Sequence, residues 1–425
     1  MRLAFVVIVG LATGAVAEDW SQWRGPAFNG TSSETGLPDT LGEKQQKWVV
    51  DLPGPGEATP AICGGVIYLS GYDETNKVLF AMQVAEESGK VLWSKTVASV
   101  SALPRRNVIA SPSPVADAEG AVFTFSTGII VRFSRDGKEI WRRDLVADYG
   151  PISVDWSYSS SPLLYDGILY IEVLRQNKLP PGSAYDGPMG SYVLGLKADS
   201  GVVVFKVDRP TDAKKDFNDS YSTPVTAKVG GNLQILVCGG NYITAHDPTT
   251  GKELWRAGYM DVEQKWGRLA STPVVDGNMI YSGFPTGTRL VARDLEKLAR
   301  GEDGSGWVYD EPNCDVPSPT LWNGFLYVLQ EKKQQLACID PKTGSPRWVG
   351  QLGKGDTFYA SPVAADGKLY VVNRKGFVSI VAADPSEFRV LSTRNFDEQP
   401  TDSTIAIANG RVFLRTAKHL YCFGN

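Results

Sequence analysis

The chain has 425 residues, 42% hydrophobic and 21% charged, with 43 Lys+Arg against 47 Asp+Glu and a formal charge of −4. That balance provides no basic surface for nucleic acid, whose phosphates attract clustered lysine and arginine. The 44 glycines and 26 prolines suit a turn-rich β protein.

Residues 1–17, MRLAFVVIVGLATGAVA, put one arginine before an apolar run that ends in Ala15-Val16-Ala17. This is the order of a secretory signal peptide, and the run is too short to span a bilayer. The expectation is an exported protein, periplasmic or extracellular, soluble after cleavage and without a transmembrane segment. No cysteine follows the leader, so lipid attachment there is not expected. Residues 18–44 form an aromatic lead-in containing DWSQWRGPAFNG. Trp20 and Trp23 are expected to pack on the last and first repeats and to latch the strand that follows, or else to form an aromatic clamp on a ligand. That strand is QQKWVVDL, residues 45–52.

From residue 45 to 425 the chain reads as one unit written eight times. The first half of each unit resembles ASPVAADGKLYVV (360–372), with kin in SSPLLYDGILYIE, STPVVDGNMIYSG and PSPTLWNGFLYVL. Aligned on the proline, the units fall at Pro60, Pro114, Pro162, Pro224, Pro273, Pro319 and Pro362, with Thr404 in the eighth place. The second half is clearest in HDPTTGKELW (246–255) and IDPKTGSPRW (339–348). Trp93, Trp141, Trp255 and Trp348 recur at its end, Phe205 substitutes once, and the fifth unit inserts a short helix before Trp307. Asp-Gly joins two short strands and the D-x-x-T-G turn joins two more. Four antiparallel strands make one blade, and radial stacking with a large indole in each wedge makes an eight-bladed β-propeller. The eighth unit stops after HLYCFGN (419–425), so residues 45–52 are expected to supply its last strand, with Trp48 in the indole position, and to close the ring.

The S-P…D-G…Y and D-x-x-T-G-xxx-W halves resemble the pyrroloquinoline-quinone (PQQ) repeat propellers over residues 45–425. The resemblance implies one of two functions. One branch comprises quinoprotein alcohol and sugar dehydrogenases that use PQQ and Ca²⁺. The other is non-enzymatic and BamB-like, after the propeller lipoprotein of the outer-membrane β-barrel assembly machine.

The residues favour the second branch. The five cysteines, Cys63, Cys238, Cys314, Cys338 and Cys422, include no adjacent pair, no C-x-x-C and no haem-attachment motif. His246 and His419 are the two histidines of the chain, both at strand ends, which leaves no His-based metal cluster or triad. No P-loop, nucleophile elbow, zincin or dinucleotide fingerprint occurs. No cofactor is expected; PQQ with Ca²⁺ belongs to the alternative reading. The informative segments precede each S-P and share a face with the loops between second and third strands. They carry Arg105, Arg106, Trp156, Tyr158, Tyr221, Trp266, Arg268, Phe358 and Tyr359. These are expected to converge on one mouth that binds a protein, peptide or other envelope component, or else to pack the loops, with the arginines paired to Asp155, Asp219 or Asp356. The loop 175–190 is the longest insertion on that face. A monomer is expected.

Overall fold

The structure, a computed structural model, describes residues 18–101, 109–258, 267–283, 289–311, 315–353 and 355–425. The expected leader, residues 1–17, lies outside them. The described strands form eight antiparallel four-stranded sheets, the blades of an eight-bladed propeller. The innermost strands are Ala61–Cys63, Val115–Asp117, Leu163–Tyr165, Val225–Val229, Val274–Asp276, Thr320–Trp322, Val363–Ala365 and Ala406–Ala408, in blades 1 to 8. The outermost are Val91–Ser99, Glu139–Asp144, Val203–Asp208, Glu253–Gly258, Ser305–Tyr309, Pro346–Gln351 and Val390–Asn395 in blades 1 to 7. Blade 8 takes its outermost strand, Gln46–Asp51, from the start of the repeat region, paired with His419–Gly424 so that Trp48 faces Cys422. The closure expected from the sequence is therefore present, and the inserted helix of the fifth unit is Leu295–Ala299.

The S/T-P repeat has a physical cause. The residue before each proline sits next to its counterpart in the neighbouring blade. The backbone N–H of Thr59 donates to Ser113 Oγ (3.0 Å), Ser113 to Ser161 (2.9 Å), Thr223 to Thr272 (3.1 Å), Thr272 to Ser318 (2.8 Å), Ser318 to Ser361 (2.9 Å) and Ser361 to Thr404 (3.0 Å). A hydroxyl at this place gives a buried amide its acceptor, and proline has no N–H to leave unpaired. The relay also corrects the phase of the eighth unit. Thr404 holds the hydroxyl position and Ile405 stands where the other units have proline, one residue before the Ala406–Ala408 strand.

The recurring tryptophan has a cause too. A register shift precedes it in the outermost strand and turns it towards the next blade. Its indole N–H then donates to a carbonyl of that blade's second turn: Trp48 to Glu86 (2.9 Å), Trp93 to Arg135 (3.2 Å), Trp141 to Ala198 (2.9 Å), Trp307 to Pro341 (2.7 Å) and Trp348 to Asp384 (2.7 Å). The turn glycine lies under the ring. A Cβ at Gly89 would sit 2.8 Å from Trp48, and one at Gly344 would sit 2.5 Å from Trp307. Trp255 departs from this pattern, because the inserted helix replaces the turn it would meet, and it bonds Gln234 of its own blade (2.8 Å). Between the blades the apolar faces are buried, as in the Tyr68, Phe123 and Phe133 cluster of blades 1 and 2, with half-buried Trp93 packed against it.

The lead-in does not serve as a latch on the last and first blades alone. It follows the blades in order around the inside of the ring. Trp20 is fully buried and bridges to Ile62 of blade 1, and the Ser21 carbonyl accepts from Ala116 of blade 2 (2.8 Å). The Gln22 amide both donates to and accepts from the Leu164 backbone of blade 3 (3.1 and 2.9 Å). Trp23 reaches Thr272 of blade 5 (3.2 Å), and Arg24 reaches Pro319 and Thr320 of blade 6. Gly30 and Ser32 exchange bonds with Ala364 of blade 7, and Glu34 accepts from Gly410 of blade 8. Gly25, at φ +72°, is required here, because a Cβ would lie 2.7 Å from the Trp20 ring. Arg24 is buried with carbonyl and hydroxyl partners, and burial lowers its pKa to about 9.

Candidate functional site

On the side of the pre-S-P segments the axis opens into a chamber of about 950 Å³, including solvent at its open side. Trp23 of the lead-in and the hydroxyls of Ser113, Ser161, Thr223 and Thr272 from the relay line it, so one device both fixes the blades and faces the chamber. Above them stand Trp156, Tyr221, Tyr359 and Arg268, with the carboxylates Glu57, Asp315, Glu331 and Asp402.

Of the residues expected at the mouth, Trp156, Tyr221, Arg268 and Tyr359 come together here. Tyr158 and Phe358 are not part of the lining. Each is 2% exposed and packs in an inter-blade core, the Tyr158 hydroxyl donating to the Glu172 carbonyl (2.9 Å). Arg105, Arg106 and Trp266 lie outside the described residues. The two histidines end strands as expected, yet His246 is buried, its ring nitrogens bonded to Gly251 and Thr244.

Two arginine–aspartate–aromatic units face the chamber. Arg268 donates to Asp315 (2.6 Å), and its guanidinium stands 5.1 Å from the Trp156 ring centre. Its partner is therefore Asp315, in place of the expected Asp155, Asp219 or Asp356. Arg374 grips Asp402 with two bonds (2.8 and 3.1 Å) and lies 4.1 Å over Tyr359. Burial raises the pKa of Asp315, opposed by Arg268 and Lys332, and burial likewise raises Asp402 against Arg374.

A third unit orders the rim. The Trp156 N–H donates to the Tyr221 hydroxyl (3.0 Å), which donates to Asp219 (3.3 Å). Asp219 also accepts from the Asp155 N–H (2.9 Å) and from Gln176 (3.1 Å), tying the rim of blades 3 and 4 to the long loop. Burial pushes the Asp219 carboxyl up to about 7. The loop itself is wound on Arg175, 3% exposed, which donates to the carbonyls of Tyr149, Gly150, Pro151, Pro188 and Gly190.

Sequence reasoning placed Trp23 in the latch and passed over Glu57, Asp315, Glu331 and Asp402. Glu331 had a usable signal, because it follows a second strand and that loop shares the face of the pre-S-P segments. Asp402 stands in the eighth pre-proline segment, and the degenerate DSTI hid it.

An eight-bladed ring with a relay of hydroxyls, docked tryptophans and an axial chamber defines a PQQ-repeat propeller. A family model described as "Outer membrane protein assembly factor BamB" matches residues 42–171, 152–350 and 305–391, and the chain belongs to that family. Over 165 residues it is 30% identical to the outer membrane protein assembly factor BamB of Escherichia coli, covering 38% of this chain and 36% of that one. Over 271 residues it is 25% identical to the quinohemoprotein alcohol dehydrogenase ADH-IIG of Pseudomonas putida, covering 61% and 31%. The chain thus spans about a third of the length of these curated relatives. Among solved structures, BamB from Moraxella catarrhalis superposes with a TM-score of 0.63 at 15% identity, covering 89% of this chain and 99% of that one. A europium-containing methanol dehydrogenase superposes at 0.70 with 11% identity, covering 96% and 98%. At these identities the structural likeness is one of fold. Among the described residues no helix is long and apolar enough to cross a membrane.

Proposed function

We propose that this chain is an exported, non-catalytic propeller that recognises a polypeptide of the cell envelope through the axial chamber and its rim. One observation carries the reading: rings, hydroxyls and pre-paired charges converge on a single concave site, as expected of a rigid recognition surface. The leader-like residues 1–17 support export, and the BamB relatives support a protein partner.

The described residues do not fit the cofactor that the resemblance to the quinoprotein branch implies. PQQ is a tricarboxylate, and the Ca²⁺ used with it takes six to eight oxygen ligands. Four carboxylates line this chamber, and its lining arginine, Arg268, is already neutralised by Asp315. No group of three or more His, Cys, Asp or Glu among the described residues is placed to hold a metal ion.

The test is photo-cross-linking in the intact envelope. Ser159→p-benzoylphenylalanine puts the probe in the chamber wall, and Val308→p-benzoylphenylalanine puts it on an exposed outermost strand. A polypeptide captured from position 159 and not from 308 is the expected result. Identical capture at both, or dye-linked alcohol or sugar oxidation after addition of PQQ and Ca²⁺, overturns the reading.

A further inference from the structure

Most of the charge in the chamber is already partnered. Arg268 is held by Asp315 Oδ2, Asp402 is held by Arg374, and Glu57 accepts from the Ser111 hydroxyl. Two oxygens stand apart. Glu331 Oε2 and Asp315 Oδ1 are buried and have no hydrogen-bond donor, although both residues line the chamber. Glu331 is 6% exposed, and its carboxylate is held towards the Asp315 segment by the backbone N–H groups of Asp315 and Val316. The Tyr359 hydroxyl lies in the field of Arg374 first, and of Glu331, Asp402 and Asp315 against it. Exposed Lys332 contributes to the field at both orphan carboxylates without forming an ion pair with either.

A buried carboxylate oxygen without a donor is costly, and a cation carrying N–H donors removes that cost. The geometry points to the primary ammonium of a lysine side chain, carried on a polypeptide, as the group that the Glu331–Asp315 wall receives. The inference rests on the chamber reading above and names what the chamber takes. Both oxygens are closed off from solvent as the side chains stand, so a guest reaches them only when those side chains turn to the chamber; two single acceptors on separate carboxylates then suit a compact ammonium with three donors. A guanidinium fork would want both oxygens of one carboxylate, and Arg268 already holds Asp315. The apolar lysine stem can lie along Tyr359 and Trp156, and aromatic faces favour a cation. Burial and the nearby Asp315 push the Glu331 carboxyl up to about 7, so the wall is fully charged only above neutrality.

The test uses the full chain and three probes in calorimetry at about pH 8: acetyl-Gly-Lys-Gly-amide, its norleucine isostere, and free 1,5-diaminopentane. The lysine peptide should bind at least about tenfold more tightly than the norleucine peptide, since charge-assisted bonds are lost in the latter. Glu331→Gln, checked for an undiminished melting temperature, should erase that difference. Lysine-peptide affinity should fall between about pH 8 and 6 in the native chain and stay level in the variant. Equal binding of both peptides, a native-like preference in Glu331→Gln, or diaminopentane binding as tightly as the lysine peptide overturns the inference. Equal binding that Tyr359→Ala abolishes sinks the ammonium and leaves the chamber reading standing. Absence of any capture at position 159 sinks both.

Discussion

The indole N–H of Trp48 donates to the Glu86 carbonyl across 2.9 Å, tying the strand that completes blade 8 to the outer turn of blade 1. It is the same bond that joins other neighbouring blades, made here between the two ends of the repeat array. Trp48→Ala removes the bond and the ring that covers Gly89, and should lower stability by about 2 kcal/mol, read as a drop in melting temperature. Trp48→Phe should recover part of it. An unchanged midpoint for the alanine variant would mean that the closing strand is held by backbone pairing alone.

Thr272 serves two donors, the Thr223 N–H at 3.1 Å and the Trp23 indole at 3.2 Å. Thr272→Val keeps the shape and removes the acceptor. It should cost about 1–3 kcal/mol by leaving a buried amide unpaired, whereas Thr272→Ser should stay close to the native value. Denaturation of the two variants side by side measures the hydroxyl relay directly.

Glu172 is fully buried between blades 3 and 4, and burial raises its pKa from 4.5 to about 8 against the pull of Ser222, Arg209 and Ser220. Its folded-state pKa lies above the unfolded one, so the folded chain holds this proton more tightly. The stabilising contribution is complete below about pH 4.5 and is lost as pH rises through about 8. Glu172→Gln should therefore gain on the native chain in melting temperature as pH rises across that window. A constant difference between the two proteins would refute the assignment.

Arg175 gathers five carbonyls and lies 5.3 Å from the Tyr192 ring centre. Arg175→Ala should release the 175–190 loop, seen as faster limited proteolysis within those residues while the rest of the ring stays resistant. Arg175→Lys should behave similarly, because a point charge with three donors cannot span the five acceptors.

The ring was legible because its constraints are local and repeated. A Ser/Thr before proline, an Asp-Gly turn and a Trp after D-x-x-T-G each answer a need that recurs at every blade boundary. The site was half legible for a related reason. Phe358 and Tyr359 are sequence neighbours, both expected at the mouth, yet Phe358 is buried in an inter-blade core and Tyr359 alone of the two lines the chamber. Aromatic composition does not say which of two adjacent rings the fold turns inward. The path of residues 20–34 has no repeat to betray it. Its partners, from Ile62 to Gly410, are fixed only once the ring exists. The partner of Arg268 was hidden in the same way, since Asp315 belongs to another blade.

Residues 20–34 lie inside the ring against seven of its eight blades, and Trp23 among them lines the chamber. On the proposed function, a guest polypeptide would meet this segment as it enters, so a tail or the tip of a hairpin could dip in and withdraw. Residence time would then be set by the depth of that visit and by how readily the rim lets go.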